Sequence, residues 1–181
     1  MIAVSTRDGR AGLPVAEWFL SRARHHAGFS VELIDLKHVN LPLLDEPNHP
    51  RLQRYQHEHT MQWSARVART DAFVFVTPEY NYGPSPALLN ALDYLYVEWN
   101  YKACGFVSYG GMSGGIRGVQ AIKPVVTTLK MVPLVEAVAA PFFAKQIENG
   151  VFKADDGQDQ AAAALLDELR RWTDALKTLR G

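Results

Sequence analysis

Three short segments of the chain combine residue types that bind ligands, and the first of them suits a phosphate group. Residues 5–12 read S-T-R-D-G-R-A-G and lead into a helix that begins near Leu13 and Pro14. Proline is pre-organised for the first turn of a helix, and the free N–H groups and positive dipole end of that terminus attract anions. Hydroxyl and guanidinium groups in the segment add donors that suit a phosphate dianion. These donors are Ser5, Thr6, Arg7 and Arg10.

This arrangement predicts a phosphate site, and the alternative is a helix cap whose arginines meet only solvent. Two nucleotide-binding motifs do not occur in the sequence. Without G-x-x-x-x-G-K-[ST], nucleoside triphosphate chemistry of the P-loop kind is disfavoured. Without G-x-G-x-x-G, a dinucleotide-binding Rossmann interpretation is weakened, even though Asp35 stands at the end of a predicted strand.

The second and third segments suit a flat ring. Residues 78–86 read P-E-Y-N-Y-G-P-S-P, and a rigid aromatic loop of this kind can stack on a heterocycle and reach its polar edge. The alternative is a stiff turn whose tyrosines cover the core. Residues 108–115 read S-Y-G-G-M-S-G-G, and glycines let the backbone approach a ligand and leave its N–H groups unobstructed. The alternative for this segment is a flexible surface loop.

Alternating strands and helices must position these segments. Strands are predicted at 2–4, 30–35, 72–77, 103–108 and 134–138, and helices at 12–27, 51–69, 85–98, 114–130 and 159–179. The run at 72–77 lacks polar alternation, as in strands that are buried on both faces of a parallel sheet. The pattern predicts a doubly wound parallel sheet, in which ligands bind beyond the carboxyl ends of the strands. The three segments follow three of those ends.

Other stretches complete this outline. Residues 155–157 predict a turn, and residues 38–50, with three prolines, predict the longest loop. The last helix carries an apolar stripe that predicts core packing. The stripe consists of Leu165, Leu166, Leu169, Trp172, Leu176 and Leu179.

The composition is that of an ordinary globular protein. The 181 residues are 48% hydrophobic and 21% charged, which predicts a single domain over 1–181. Basic and acidic residues both number 19, so the chain lacks the net field that draws nucleic acid or an anionic membrane. One cysteine, no apolar leader and no long apolar run predict a cytoplasmic protein.

At the three segments the chain resembles the NADPH-dependent FMN reductase family. The family pattern has an S-x-R-rich phosphate loop after the first strand, a P-E-Y-N loop after the third and a Y-G-G-x-x-G-G loop after the fourth. These motifs stand here at 5–10, 78–83 and 109–115, and the resemblance spans the whole chain in order and spacing. One departure is that Val4 precedes Ser5, where family members have a longer first strand that ends in glycine. Either this strand is short or the natural start lies upstream of Met1.

The resemblance implies a flavodoxin-like three-layer α/β/α sandwich with a five-stranded parallel sheet in the order 2-1-3-4-5. It implies FMN as the cofactor, NADPH or NADH as the co-substrate, and a small-molecule electron acceptor such as a flavin, quinone, azo compound or metal oxyanion. The first loop would hold the phosphate and the other two the isoalloxazine ring. Since the flavin carries the chemistry, no catalytic side chain is expected. The implied contacts are Ser5, Thr6, Arg7, Arg10, Gly12, Leu13, Pro78, Glu79, Tyr80, Asn81, Tyr82, Ser108, Tyr109, Gly110, Gly111 and Ser113.

Two other classes of protein stay open, a non-enzymatic flavodoxin-like electron carrier and a flavin-binding sensor module. Such carriers tend to be strongly acidic, and the formal net charge of zero argues against one. The resemblance also implies a homodimer or homotetramer. The segment 87–99 supports this, because its apolar residues cover more of a helix than one sheet face can bury. The alternative is a helix covered by the loop at 38–50.

Neither the histidines nor the cysteine predict a reactive centre. His57 and His59 fall on a predicted helix, where two residues correspond to about 200° of rotation, so their imidazoles should point apart rather than share a metal. Cys104 falls inside a predicted strand, which indicates a buried, unreactive thiol.

Overall fold

The computed structural model describes residues 1–180 and contains a five-stranded parallel sheet in the order β2-β1-β3-β4-β5. The strands are β1 (Ile2–Ala3), β2 (Ile34–Asp35), β3 (Ala72–Pro78), β4 (Ala103–Gly110) and β5 (Val132–Pro141). The predicted fold class and strand order are confirmed. Because the strands are parallel, the loops after β1, β3 and β4 meet at one edge of the sheet.

Helices cover both faces of this sheet. They are α1 (Leu13–His25), α2 (Leu36–Val39), α3 (Glu58–Ala68), α4 (Pro86–Asp93), α5 (Ile116–Thr128) and α6 (Asp156–Lys177). One apolar cluster joins α1 and α6 to the sheet around Val107, and a second joins α3, α4 and α5 to it around Phe106. Since neighbouring strand residues point to opposite faces, β4 contributes to both layers of the core.

The first two strands are shorter than their apolar runs. The strand β2 lies at the edge of the sheet and pairs only with β1, through Ile34 and Asp35. Residues 30–33 therefore have no strand beside them, and the prediction of a strand there was wrong. In contrast, β5 extends beyond 134–138 in both directions, because β4 offers it partners from Ala103 to Gly110.

Two predicted helices are interrupted in the structure, and in the first a tertiary contact lies at the break. The segment 51–69 begins with a 3-10 turn at Pro50–Leu52, and its α-helix starts only at Glu58. Between them, the carboxylate of Glu46 accepts the N–H groups of Gln56 and His57 at 2.9 and 3.0 Å, which satisfies these donors outside a helix. The segment 85–98 likewise ends its α-helix at Asp93 and continues as a 3-10 turn at Val97–Trp99.

The region after β5 contains two features that the sequence analysis missed. Residues 155–157 do not form a turn. Asp155 instead caps α6 and shares a capping box with Gln158. Before it, a two-stranded hairpin of β6 (Ile147–Glu148) and β7 (Val151–Phe152) turns at Asn149 and Gly150, whose φ angles are 50° and 78°. An Asn-Gly pair is a strong hairpin signal, so this element was predictable.

The apolar stripe of α6 is confirmed in part. Leu165, Leu166, Leu169 and Leu176 are buried, whereas Trp172 and Leu179 are 42% and 58% exposed. Within residues 1–180, no helix combines the length and the apolar character needed to cross a membrane.

The loop between α2 and α3 covers part of α4. The side-chain amide of Asn90 donates to the Pro42 carbonyl at 2.7 Å, and the Tyr94 hydroxyl donates to Asp45 at 2.9 Å. Leu88 and Leu92 of the same helix are buried in the core. The apolar circumference of this segment is thus largely covered within one chain, so it no longer argues for a dimer.

Candidate functional site

The three loops enclose one cleft at the carboxyl edge of the sheet, with a volume of about 570 Å³. The predicted contacts that line it are Ser5, Arg7, Arg10, Gly12, Pro78, Glu79, Tyr80, Tyr109, Gly110 and Gly111. The predicted contacts that do not line it are Thr6, Leu13, Asn81, Tyr82, Ser108 and Ser113. A second cavity of about 560 Å³ lies beside Met1 and Asp71, at the amino ends of the strands. Ligands of open α/β sheets bind at the carboxyl ends, so the cleft is the candidate site.

The two arginines of the first loop differ in their surroundings. Arg10 makes a two-pronged ion pair with Asp35, and its Nη1 also donates to the Ser5 carbonyl at 2.8 Å. The side chains of the pair are 11% and 9% exposed. Burial alone would raise the pKa of Asp35, but hydrogen bonds from Arg10 and from the Lys37 N–H hold it below its usual value. Arg7, by contrast, is exposed and lines the cleft.

Gly12, the N-cap of α1, leaves space that the ring of Tyr109 from β4 fills. A Cβ on Gly12 would lie 2.0 Å from the Tyr109 hydroxyl oxygen, so the phenol ring occupies the space of any larger side chain. Tyr109 is 5% exposed, and burial raises the pKa of its hydroxyl. The Ser5 hydroxyl lies 3.2 Å from the Tyr80 hydroxyl, which connects the first loop to the second. These contacts fix the loops relative to one another.

Glu79 connects the second loop to the third. Its Oε2 accepts hydrogen bonds from the Ser113 hydroxyl at 2.9 Å and from the N–H groups of Arg117 and Gly118 at 3.0 and 3.3 Å. The last two donors belong to the first turn of α5, where a carboxylate is favoured by the helix dipole. Glu79 and Ser113 were predicted as ligand contacts, and the structure gives both side chains partners within the protein.

Residues 80–83 form a tight turn at the rim of the cleft. Tyr80 and Gly83 exchange backbone hydrogen bonds of 3.0 and 2.9 Å. The two residues between them, Asn81 and Tyr82, have φ angles of 50° and 68°, as in a type I′ turn. Tyr82 is 68% exposed, and the Arg117 guanidinium lies 4.0 Å from its ring centroid. Tyr82 therefore does not cover the core.

The glycines of the third loop have separate roles. Gly114 and Gly115 have φ angles of 60° and 86°, which side chains rarely adopt. A Cβ on Gly115 would also lie 2.8 Å from the Tyr109 nitrogen, so glycine is required there for the fold. A Cβ on Gly110 would lie 3.2 Å from the Gly115 nitrogen, whereas a Cβ on Gly111 would meet no atom within 4 Å. Gly111 thus lines the cleft without protein atoms crowding its α-carbon.

A fourth wall, formed by residues 142–145 after β5, was missed by the sequence analysis. Phe142, Phe143 and Lys145 line the cleft. Phe142 has a φ of 49°, and its N–H donates to the Gly111 carbonyl at 3.0 Å. The Phe143 ring lies 4.8 Å from that of Tyr109. The signal was available, because the carboxyl end of a fifth parallel strand must reach the same edge of the sheet.

The geometric argument about the histidines was wrong. His57 lies outside α3 as its N-cap, so the rings of His57 and His59 stack, with centroids 5.2 Å apart and an interplanar angle of 8°. In the part of the chain that the structure describes, no group of three or more histidine, cysteine, aspartate or glutamate residues is arranged to hold a metal ion. Cys104 is buried within β4, and burial raises the pKa of its thiol.

Comparison with known proteins gives a consistent result. The model of the family described as "NADPH-dependent FMN reductase" matches residues 1–145, which include all four walls of the cleft. An NAD(P)H-dependent FMN reductase of Schizosaccharomyces pombe is 40% identical over 145 residues, covering 78% of this chain and 72% of that protein. An NAD(P)H-dependent FMN reductase of a Nectria species is 30% identical over 190 residues, covering 99% and 94%. Among solved structures, FerB from Paracoccus denitrificans, a flavoenzyme NAD(P)H:(acceptor) oxidoreductase, has a TM-score of 0.75 at 17% identity, covering 96% and 95%.

Proposed function

The chain belongs to the NADPH-dependent FMN reductase family, and we propose that its cleft binds one FMN and serves the reduction of a small acceptor by NAD(P)H. When bound, FMN supplies the chemistry by accepting hydride from NAD(P)H and passing the electrons on. The observation that carries the proposal is that Gly111 lines a cleft of about 570 Å³ and has no protein atom within 4 Å of the position of a Cβ. Clefts of roughly 300–1,000 Å³ accommodate ligands of this size.

The first loop fits a terminal phosphate. The helix α1 begins at Leu13 with a proline in its first turn and no acidic residue there, so its positive end is not neutralised locally. Arg7 supplies an exposed cation at the cleft. The residues that would hold the phosphate are thus Arg7 and the N–H groups at the start of α1.

The second and third loops, with residues 142–145, fit a planar ring. Gly111 lets the ring approach the backbone, and Tyr80 and Phe142 line the same cleft. The rim residues Tyr82 and Met112 are 68% and 74% exposed, which leaves this side open to a co-substrate and an acceptor. A ring that is held at its edges and open on a face suits hydride transfer between stacked rings.

Anaerobic titration with NADPH tests this function. Protein loaded with FMN should lose its yellow absorbance on mixing, and should recover it when a quinone, an azo dye or free flavin is added. If the protein binds FMN but neither NADPH nor NADH bleaches the bound flavin, the protein would be an electron carrier or a sensor module. That result would contradict the proposal.

Arg7→Ala is expected to weaken FMN binding by about 1.5–3 kcal/mol, the range for a hydrogen bond to a charged group. Riboflavin, which lacks the phosphate, should bind the variant as it binds the parent protein. The measurement is a fluorescence titration with both ligands. The matched control is Arg24→Ala, which removes an exposed arginine from the last turn of α1. Equal FMN affinity in the two variants would remove Arg7 from the site.

We further propose a homodimer or homotetramer, on the basis of the family resemblance alone. Light scattering at micromolar concentration should then give at least twice the chain mass of 20.2 kDa. A mass near that of one chain would contradict this proposal without affecting the cofactor site.

A further inference from the structure

We propose that Asp35 is a positioning residue for the phosphate loop, residues 5–12. By holding the Arg10 guanidinium as a structural brace, it leaves Arg7 and the N-terminus of α1 to bind the phosphate. This inference rests on the proposed function, because it concerns how the same cleft takes a phosphorylated flavin. It assigns different roles to two arginines that the sequence presents as equivalent.

The brace joins two strands and one loop. Asp35 stands at the end of β2, and β1, which pairs with it in parallel, leads directly into the phosphate loop. Arg10 extends from that loop to Asp35 with two nitrogens, and one of these also donates to the Ser5 carbonyl at 2.8 Å. The planar fork of a guanidinium can make these bonds together, which a lysine ammonium cannot reproduce.

The charges support a brace rather than a ligand. The side chains of Arg10 and Asp35 are 11% and 9% exposed, so each charge is compensated mainly by the other. Asp35 thus largely cancels the positive charge that Arg10 would otherwise add near the phosphate. Without Arg10, however, Asp35 would present an uncompensated carboxylate next to the phosphate loop, and a buried unpaired charge is strongly unfavourable.

The loop depends on such a brace because it has little regular structure of its own. Between Ala3 and Leu13 the chain forms neither helix nor strand, and Gly9 adopts a φ of 64°. Asp35 is itself held in place, since its Oδ1 accepts the Lys37 N–H at 3.0 Å as the cap of α2. The ion pair thus anchors the phosphate loop to the end of β2 at the edge of the sheet.

Comparing FMN with riboflavin tests the inference, because only FMN carries the phosphate. The variants are Asp35→Asn, which removes the charge at constant size, and Arg10→Lys, which keeps the charge but removes the fork. In both, the Kd for FMN should rise by about tenfold or more, while the Kd for riboflavin should change by less than about twofold. Asp174→Asn is the control, since it removes a carboxylate that pairs with Arg170 on α6 and lies at the second cavity rather than the cleft. It should leave both affinities unchanged.

Each alternative outcome identifies what fails. If both ligands lose affinity equally in folded variants, Asp35 acts on general stability and the inference is overturned. If FMN binds Asp35→Asn equally well or more tightly, the freed Arg10 is itself a phosphate ligand, which also overturns it. Should Asp35→Asn not fold, as judged by circular dichroism, the same ratio is read from Arg10→Lys. If the parent protein binds neither ligand, the proposed function is refuted. If the Kd for FMN is the same in the parent protein and in both variants, only this inference is refuted.

Discussion

Gly111→Val is expected to abolish FMN retention while leaving the fold intact. The open space beside the Gly111 backbone would accept a branched side chain without displacing any atom within 4 Å of its Cβ, so the empty protein should tolerate it. In the proposed binding mode the flavin ring lies against this loop, so the same side chain would obstruct the ring. The φ of Gly111 lies outside the range that side chains resist, so backbone strain does not complicate the result. The measurement is the ratio of flavin to protein absorbance after loading and gel filtration, with circular dichroism and thermal melting of the empty protein.

Gly115→Val provides the contrast within the same loop. Its Cβ would lie 2.8–2.9 Å from three atoms of Ser108 and Tyr109, at a φ of 86°, so this variant should lose the fold together with the flavin. If Gly111→Val stays folded, yellow and active, Gly111 does not face the ring. The glycine loop would then be a scaffold, and the ring would have to be held elsewhere in the cleft.

Glu79→Ala is expected to lower the free energy of unfolding by about 2–4 kcal/mol, because it leaves three donors without their shared acceptor. The melting temperature should fall by about 5–15 °C for a chain of this length. Two of the donors begin α5 and the third is the Ser113 hydroxyl, so FMN affinity should fall as well. Thermal unfolding with and without FMN measures both effects.

Two controls separate the role of Glu79 from that of carboxylates in general. Glu79→Gln retains one acceptor oxygen at nearly the same size and should lose about half as much stability. Glu17→Ala removes an exposed carboxylate from α1 and should leave the melting temperature within about 2 °C. If the melting temperature of Glu79→Ala equals that of Glu17→Ala, the three hydrogen bonds contribute little to stability.

The architecture was predictable because it follows from local patterns. Apolar runs separated by amphipathic segments dictate a parallel sheet, and the unbroken run in β3 marks its centre. Element ends depend instead on distant partners. Glu46 prevents the helix α3 from starting before Glu58, and the pairing of β2 is limited to two residues by its single neighbour. A pattern that is read along the chain contains neither fact.

The candidate site was predictable as a set of loops but not as a set of roles. Each loop has an unusual local composition and follows a strand, so the fold alone brings the loops together. The difference between the exposed Arg7 and the paired Arg10 depends on Asp35, which lies 25 residues beyond Arg10 and becomes its neighbour only through strand order. Likewise, Gly111 and Gly115 are the same residue type in one motif. Only the positions of the surrounding atoms distinguish the one that is open from the one that is required.

The burial of Cys104 determines how the protein responds to thiol-reactive compounds. Electron-poor compounds such as quinones add covalently to thiolates, so exposed cysteines expose a protein to inactivation by them. The sequence contains one cysteine, which lies inside the central sheet with a raised pKa. Its thiolate is therefore both scarce and unreachable. The folded chain should therefore resist modification by thiol-directed reagents that inactivate proteins with exposed cysteines.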